Sequence, residues 1–343
     1  MTRMNAPSPR DVALDPEWLP HTYDVEGANL TSVLVPQAAR PNLMFLSDEH
    51  FAGNFQKATF PVAAIAAEAG AASRGPMHFI FHTSFCCSTL LAKALDVPGV
   101  SAALKEPDVL INLANRLIRS DDAANRQRLE LVLRLLERPR IRGETVIVKP
   151  TNFANRLVEP IMTVRPDSRA ILLYSDVETF IRSLLKRGMW GRITARKLFN
   201  QLAGWSPLLS SYSAAEILEY TDVQIAALAW LAQIHHLDAM ARMFGPDRVI
   251  VLDSGALLAD PAAALTQSRT FFELSFSDAD VERIAGGPVF SKHSKFSERD
   301  YSAEAREQDH KAVNEAHAEE LSMVLHWIKA VAAHLEAPLR PEL

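Results

Sequence analysis

The sequence predicts an α/β fold in which helices pack on both faces of a parallel sheet, giving three layers. From Pro76 onward, short β-rich runs alternate with longer stretches of helical periodicity, a pattern typical of parallel strands joined by right-handed crossovers. The 343 residues are 48% hydrophobic, so the chain can build one large core with an appended subdomain. Residues 1–75 contain scattered prolines, and we expect them to form an irregular N-terminal extension packed on a domain of residues 76–343.

The predicted elements follow in order from an alanine-rich helical patch at 62–72. Short apolar runs predict strands, and longer runs with apolar residues three or four apart predict helices. The stretch near 190–220, rich in Ser, Leu and Arg, interrupts this alternation and is expected to form a helical insertion that faces the substrate. The strands are expected at 77–82, 145–148, 169–174 and 248–252. The helices are expected at 88–95, 107–118, 125–138, 153–164, 177–187 and 222–244, after Asp260, and at 304–334.

The most informative segment is the first strand of the predicted sheet and the loop after it. Residues 77–95 combine a buried strand, a short loop of hydroxyl and thiol side chains, and an amphipathic helix. Backbone amides at such a helix start lack partners and carry the positive end of the helix dipole. Residues 84–89 can therefore bind a phosphate, with Ser88 and Thr89 adding hydroxyl donors. The alternative is an ordinary helix start that Ser88 caps, with the two cysteines buried as small apolar residues.

The loop differs from that of an ordinary ATPase or GTPase. The pattern G-x-x-x-x-G-K-[ST] needs two glycines and a lysine to hold a nucleotide phosphate. No glycine lies between Gly75 and Gly99, and no lysine directly precedes Ser88. We therefore expect a different class of phosphate-binding loop.

This loop resembles that of the sulfotransferases, whose 5′-phosphosulfate loop reads roughly Arg/Lys-Ser-Gly-Thr-Thr. In that register the chain has Phe85, Cys86, Cys87, Ser88 and Thr89. Phe85 replaces the basic residue, and this removes a charge-assisted contact to the transferred group. Cys87 replaces the glycine, and a side chain there restricts the backbone where it approaches a phosphate.

Further matches to the family follow in the same order. Glu106 follows Thr89 by the interval at which the tyrosylprotein and related sulfotransferases have a catalytic glutamate. Lys149 ends a strand, as does the family's lysine near the sulfuryl group. The stretch 249–261 is similar to a late segment of the bacterial sulfotransferases, a strand followed by an acidic turn and L-L-A-D-P.

The family's 3′-phosphate motif is matched only in part. It consists of an arginine followed eight residues later by a serine, and here the two positions are Ser175 and Ser183. The serine is kept and the arginine is lost. Arg182 is the nearest candidate to supply the missing positive charge, and a basic loop after Gly286 and Gly287 resembles the flexible loop that closes over the co-substrate in this family.

The resemblance implies a P-loop-type domain that transfers a sulfuryl group from 3′-phosphoadenosine 5′-phosphosulfate (PAPS). The acceptor would be a hydroxyl or amine of a small molecule, glycan or peptide, and no metal would be needed. Glu106 would act as general base, and Lys149 would neutralise charge on the bridging oxygen. The residues expected to bind the co-substrate are Thr83, Ser84, Phe85, Cys86, Cys87, Ser88, Thr89, Arg182, Ser183, Lys292 and Lys295.

Each of these residues also has an ordinary structural interpretation. Glu106 can open the next helix, where a carboxylate complements the dipole. Lys149 can be a solvated lysine at a strand end. Arg182 and the basic residues at 292–295 can belong to solvated surfaces, while His82 is more typical of a structural histidine than of a catalyst.

Two other classes of function stay open. The loop can serve a nucleotide-dependent kinase or hydrolase that binds a different phosphate. Alternatively, the loss of a cation at Phe85 and Ser175 indicates a sulfotransferase-like binding protein without turnover. The acceptor and the oligomeric state have no signal in the sequence.

Composition excludes several partners. The net charge of −5 gives no electrostatic case for nucleic acid or an anionic membrane. The most apolar stretches fall short of the roughly 18–20 residues that cross a bilayer, and the N-terminus has no apolar signal core, so we expect a cytoplasmic protein. Only two cysteines are present, and they are adjacent. They provide neither a disulfide framework nor a four-ligand metal site.

Overall fold

The structure is a computed structural model that describes residues 6–51, 53–291 and 303–342. Within these ranges, no helix is both long enough and apolar enough to cross a membrane. The strands are β1 (Trp18–Tyr23), β2 (Asn29–Leu34), β3 (Lys57–Pro61), β4 (Met77–His82), β5 (Ser101–Lys105), β6 (Thr145–Lys149), β7 (Ala170–Tyr174) and β8 (Val249–Asp253).

The helices follow in chain order, with 3-10 turns at Gln37–Asn42 and Asn152–Leu157. They are α1 (Pro9–Leu14), α2 (Asp48–Phe51), α3 (Val62–Ala69), α4 (Ser88–Ala94), α5 (Asp108–Arg119), α6 (Ala123–Leu136), α7 (Val158–Val164), α8 (Val177–Leu185), α9 (Gly188–Ala203), α10 (Ala214–Glu219), α11 (Asp222–Phe244), α12 (Ser254–Ala259), α13 (Pro261–Phe271), α14 (Asp278–Ala285), α15 (Pro288–Ser291) and α16 (Ala303–His334).

Strands β4 to β8 form one five-stranded sheet in the order β5-β6-β4-β7-β8. β4 and β5 each pair in parallel with β6, and β7 pairs in parallel with β8. Every residue of β4 and of β6 is buried, as expected for a parallel sheet that helices cover. The predicted α/β fold with a parallel sheet flanked by helices is confirmed. The four strands predicted for it lie within one residue of the predicted bounds.

The sequence pattern does not predict β5. Its residues, Ser-Ala-Ala-Leu-Lys, have little β-propensity, yet all five are buried. Residues 101–105 pair in continuous register with residues 145–149 of β6. Pairing with an apolar neighbouring strand therefore overrides the weak local preference.

The chain divides into two compact units, and the boundary falls within β4. β5, β6 and the first half of β4 belong to the first unit. The second half of β4, together with β7 and β8, belongs to the second. The first unit contains the described residues of Met1–Phe79 with Leu95–Ser168 and Phe272–Phe276. The second contains Ile80–Ala94, Arg169–Phe271 and the described residues of Ser277–Leu343.

The first unit opens with a three-stranded antiparallel sheet, β1-β2-β3, in the region that the sequence indicates as irregular. Prolines in these segments are a signal against strands, so the sequence pattern does not predict this sheet. Pro20 lies within β1 and Pro61 ends β3, and both strands are edges, where a residue without an N–H is tolerated. The register of β1 against β2 shifts just after Pro20.

The second unit is rich in helices. The longest buried one, α11, has the predicted bounds of Asp222–Phe244 and begins with a capping box at Thr221. It ends at Gly245, whose φ of +71° glycine adopts without strain. Helices α9 and α10 lie within residues 188–219, and α16 is interrupted at His317, where φ and ψ are not helical.

Candidate active site

The loop that joins β4 to α4 has an unusual backbone. Ser84, Phe85 and Cys87 have φ values of +76°, +52° and +61°. This left-handed region costs a residue with a Cβ about 1–2 kcal/mol. Turns that mix left-handed and right-handed residues point successive N–H groups to one side and form a concavity for an anion. Such strain persists where the surrounding structure enforces it, and it is common at functional sites.

Cys87 stands where the sulfotransferase loop has its glycine. Its backbone nevertheless has a conformation that glycine favours, with φ at +61°. The expectation that a side chain restricts the loop here is therefore revised, because the cysteine does not prevent the turn. It makes the turn more costly.

Thr83 and His82 hold the start of the loop, within the second unit. The wholly buried Thr83 donates its N–H to the carbonyl oxygen of Leu173 at 3.2 Å, and its hydroxyl oxygen accepts the N–H of Ser175 at 3.3 Å. The amide of Ser84 donates to Nδ1 of His82 at 3.1 Å. His82 is itself buried. The contact with Ser84 supports a structural role for His82. The two contacts of Thr83 hold the start of the loop against the end of β7.

Ser88 and Thr89 are buried at the start of α4. Ser88 is the first helical residue, one position after the cap, so it does not act as the helix cap of the ordinary interpretation. Among the described residues, neither side-chain hydroxyl has a hydrogen-bond partner. Two hydroxyls on buried residues, without partners among the described residues and next to a left-handed turn, fit a ligand with several acceptor oxygens.

Ser175, which the sequence comparison aligns with the 3′-phosphate arginine of sulfotransferases, is enclosed by protein. It is 0% exposed, and its hydroxyl oxygen has no hydrogen-bond partner within the described residues. Its amide donates to Thr83, and its carbonyl oxygen accepts Nε1–H of Trp230 at 2.9 Å. A residue with no exposed surface does not reach a ligand from solvent. The positive charge lost at this position is therefore not replaced by a contact from Ser175.

Arg182 and Ser183 lie on α8, directly after β7. The guanidinium of Arg182 forms an ion pair with Glu178, one turn earlier on the same helix. Its Nε is buried and bonds to no acceptor in the described part of the chain. Ser183 is partly exposed. The candidate for the missing 3′-phosphate cation is thus already engaged by a carboxylate.

In the first unit, the ammonium of Lys149 pairs with Oε1 of Glu106. The backbone N–H of Glu106 donates to the carbonyl oxygen of Lys149 at 2.7 Å, and Glu106 has a left-handed φ of +50°. The Lys149 side chain is 1% exposed, and the Glu106 side chain is 19% exposed. The two predicted catalytic residues are therefore in direct contact, and one oxygen of Glu106 is left for another partner.

The structure weighs against the ordinary interpretations of these two residues. Lys149 is enclosed, unlike a solvated lysine at a strand end. Glu106 is not a helix opener, because Pro107 is the N-cap of α5 and Asp108 is the acid of its first turn. A buried ion pair with a strained backbone at one partner is more typical of a functional site.

The segment Leu43–Phe51 lies against this ion pair and was not indicated by the sequence. The N–H of Leu46 donates to the carbonyl oxygen of Lys105 at 2.8 Å, which extends the pairing beyond β5. The ring of Phe45 lies 5.2 Å from the ammonium of Lys149, and the ring of His50 lies 5.1 Å from that of Phe45. No sequence signal joins residues so far apart along the chain.

The first unit contains two further features, a cluster of three possible metal ligands and a cavity. His21, Asp48 and Asp108 bring one ligand atom each within 4.8 Å of one another. However, Oδ1 of Asp48 already contacts the ammonium of Lys57 at 2.6 Å and Nε2 of His21 at 3.0 Å. A cavity of about 330 Å³ lies where β4 begins, at the opposite end of that strand from the loop. The ion pair between Glu137 and Arg165 lines it.

Lys292 and Lys295, predicted to close over the co-substrate, lie outside the described residues. The expected basic loop therefore stays a prediction. The last described residues before it, in α15, follow Gly286 and Gly287 directly.

Comparison with known proteins gives matches among solved structures only. No protein-family model matches the chain, and no curated protein matches it significantly. The sulfotransferase domain from the curacin biosynthetic pathway is 15% identical, with 77% of this chain and 98% of that chain covered and a TM-score of 0.43. A sulfotransferase from Alicyclobacillus acidocaldarius is 12% identical, with 78% of this chain and 97% of that chain covered and a TM-score of 0.41. A mouse sulfotransferase complexed with PAP is 11% identical, with 74% of this chain and 89% of that chain covered and a TM-score of 0.35. At these identities and TM-scores, neither activity nor co-substrate follows from the likeness.

Proposed function

We propose that this protein is a sulfotransferase that transfers the sulfuryl group of PAPS to a hydroxyl or amine of an acceptor. The observation that carries the proposal is the loop of residues 84–89, which follows the central strand of the sheet. Its left-handed turn suits an anion with several oxygens, as do the hydroxyls of Ser88 and Thr89, which bond to none of the residues that the structure describes. Ligands of open parallel sheets bind at this end of the strands.

The chemistry asked of the chain is modest. The acceptor oxygen or nitrogen attacks sulfur, the bond from sulfur to the 5′-phosphate oxygen breaks, and adenosine 3′,5′-bisphosphate (PAP) leaves with that electron pair. The acceptor proton goes to the free oxygen of Glu106, while Lys149 holds its other oxygen and orients the carboxylate. The assignment of both residues to this reaction rests on motif order and on their contact.

Phe45 supports this division of roles. Its ring beside the ammonium of Lys149 covers the ion pair with an apolar surface, which favours retention of the pair. Because the ammonium of Lys149 is buried, anions from solvent do not reach it. Lys149 therefore acts in the proposal as a fixed charge, and Glu106 as the group that exchanges a proton.

A non-catalytic binding protein is the second candidate. The observation in its favour is that neither Phe85 nor Ser175 supplies the charge that the family motifs place there. Such a protein would bind the nucleotide and transfer nothing.

Ligand binding and transfer together test the proposal. We expect PAP to raise the melting temperature without Mg²⁺, because amide and hydroxyl contacts need no metal; saturation at 100 times Kd adds about 2.7 kcal/mol. ATP with Mg²⁺ is the comparison ligand. We also expect radiolabelled sulfuryl transfer from PAPS to at least one member of pooled metabolites, glycans or peptides. No stabilisation by millimolar PAP would refute the assignment, and binding without transfer would favour the non-catalytic protein.

A further inference from the structure

An arginine outside the predicted site residues is stacked on the loop. The guanidinium carbon of Arg187 lies 4.7 Å from the centre of the Phe85 ring and 5.1 Å from that of Trp190. The Phe85 ring in turn packs edge-on against Phe180 of α8, with ring centres 5.4 Å apart. All of these residues belong to the second unit, as does the loop. Aromatic contacts therefore define where this guanidinium lies.

The backbone around Arg187 is also held closely. Arg187 lies in the short turn between α8 and α9, and its N–H donates to the carbonyl oxygen of Leu184 at 3.0 Å. A Cβ added at Gly191 would meet that same oxygen at 2.2 Å and the Cβ of Arg187 at 3.1 Å. Only glycine fits where α9 begins so close to the end of α8. The turn thus fixes the backbone position from which the Arg187 side chain extends.

Arg187 has no anionic partner in the part of the chain that the structure describes. No carboxylate pairs with it there, and no hydrogen-bond acceptor receives any N–H of its guanidinium. Its side chain is partly buried, and desolvation lowers its pKa. Buried guanidinium groups are normally satisfied by hydrogen bonds or by opposite charge. Arg138, for example, donates to carbonyl oxygens of four other residues.

Stacking leaves the donors of Arg187 available. A guanidinium that lies over aromatic rings uses its faces, while its five N–H groups point outward in its plane. Trp190 is 59% exposed and its neighbour Met189 is 71% exposed, so a ligand from solvent can approach this cluster. The arrangement is that of a preorganised anion receptor, and none of the described residues supplies its anion.

The position of the stack connects it to the loop. Phe85 is the loop residue that stands where sulfotransferases have their basic side chain, and its ring is the surface on which Arg187 lies. Phe180 and Ser183 are three residues apart on α8 and so share a face, and Arg187 follows about one turn later. Arg182, the earlier candidate, is instead paired with Glu178.

We propose that Arg187 is the anion-binding cation of the loop of residues 84–89, positioned by Phe85 and Trp190, and that it binds a phosphate or sulfuryl oxygen of the donor. The loop loses its own basic residue at position 85, and the aromatic side chain found there supports a guanidinium that comes from another segment. This inference rests on the proposed function for the identity of the donor, but not for the anionic nature of the ligand.

Titration calorimetry with a panel of anions tests the inference. The panel is PAP, ATP, inorganic pyrophosphate and inorganic sulfate, and the proteins are wild type, Arg187→Met, Arg187→Lys and Arg182→Gln. Methionine keeps the apolar stem and its packing but has no charge. A charge-assisted contact is worth roughly 1.5–3 kcal/mol, so Arg187→Met should weaken PAP binding about 10-fold to 150-fold. Lysine should restore only part of the affinity, because it lacks the planar fork.

Arg242→Gln is the matched control. Arg242 is an exposed arginine of α11 paired with Asp238 one turn earlier, and its replacement changes the net charge by the same amount. We expect Arg242→Gln to bind PAP as the wild type does. Arg187→Met gives up the stacking of the guanidinium on Phe85 and Trp190, but no ion pair or hydrogen bond of that guanidinium with the described residues, so we expect only a small fall in melting temperature.

The outcomes separate the two proposals. If wild type binds PAP and Arg187→Met binds it equally well, the role of Arg187 is refuted while the proposed function stands. If wild type binds pyrophosphate or sulfate but not PAP, and Arg187→Met abolishes that binding, the role of Arg187 is supported while the proposed function fails. A loss confined to Arg182→Gln would assign the cation to Arg182 and overturn the inference. Binding of none of the anions by wild type would overturn both.

Discussion

Replacing Glu106 by glutamine tests the buried ion pair and the reaction in one experiment. The ammonium of Lys149 is enclosed, and among the described residues Glu106 is its carboxylate partner. Breaking a buried pair from one side typically costs about 3–5 kcal/mol, because the remaining charge stays desolvated. Glutamine still offers an acceptor oxygen, and Glu106 is partly exposed, so we expect a loss of about 3 kcal/mol in the free energy of unfolding.

The double variant Glu106→Gln/Lys149→Met separates stability from catalysis. Removing both charges together is often neutral, since no uncompensated charge is left. We expect the double variant to recover most of the stability that Glu106→Gln loses. Sulfuryl transfer should fall in both by a factor on the order of 10² to 10⁴, the usual contribution of a general base.

Urea unfolding followed by tryptophan fluorescence, and transfer of a radiolabelled sulfuryl group, provide the two measurements. Glu130→Gln is the control for loss of one carboxylate. Glu130 is half-exposed and pairs with Arg134 on the surface of α6, where such a pair is worth about 0–1 kcal/mol. Wild-type stability for Glu106→Gln would refute the buried pair. Near-normal transfer by the same variant would remove Glu106 as the base.

Two further variants test the loop. Cys87→Gly should keep the stability of the protein or raise it by up to about 1 kcal/mol, because relief of the left-handed strain offsets the backbone entropy of glycine. The control is Cys86→Gly, at a buried neighbour without a left-handed φ. It should destabilise the protein by at least about 1 kcal/mol in the same urea unfolding. Equal effects at the two positions would contradict the strain at Cys87. Ser88→Ala should weaken PAP binding by about 1 kcal/mol or more with no change in melting temperature, and unchanged affinity in calorimetry would exclude Ser88 from the ligand contacts.

The sheet could be predicted where its residues carry their own signal. β4, β6, β7 and β8 are short apolar runs whose composition alone indicates a buried strand, and α11 has both a periodic apolar pattern and clear end signals. β5 lacks such a signal because its residues become a strand only through pairing with β6. β1 and β3 are hidden for a different reason, since proline is a negative signal in a strand but is compatible with an edge.

The candidate site shows the same division. Motif spacing identified Glu106 and Lys149 separately, because both positions follow predicted features of the chain. Their ion pair, and the ring of Phe45 beside it, depend on contacts between residues 43 to 104 positions apart along the chain. Periodicity and composition report only on near neighbours, so these contacts had no signal in the sequence.

Arg187 illustrates a more general limit of motif reasoning. A motif compares side chains at fixed positions, and in that comparison Phe85 stands where the motif has a basic residue, so the positive charge is lost. A ligand responds to the position of charge in space, and a guanidinium from the α8–α9 turn lies 4.7 Å from the ring of Phe85. A basic side chain would repel that guanidinium, whereas an aromatic ring attracts it. The substitution that weakens the motif is thus the one that permits Arg187 to lie against the loop, and the two residues are best understood as one anion-binding unit.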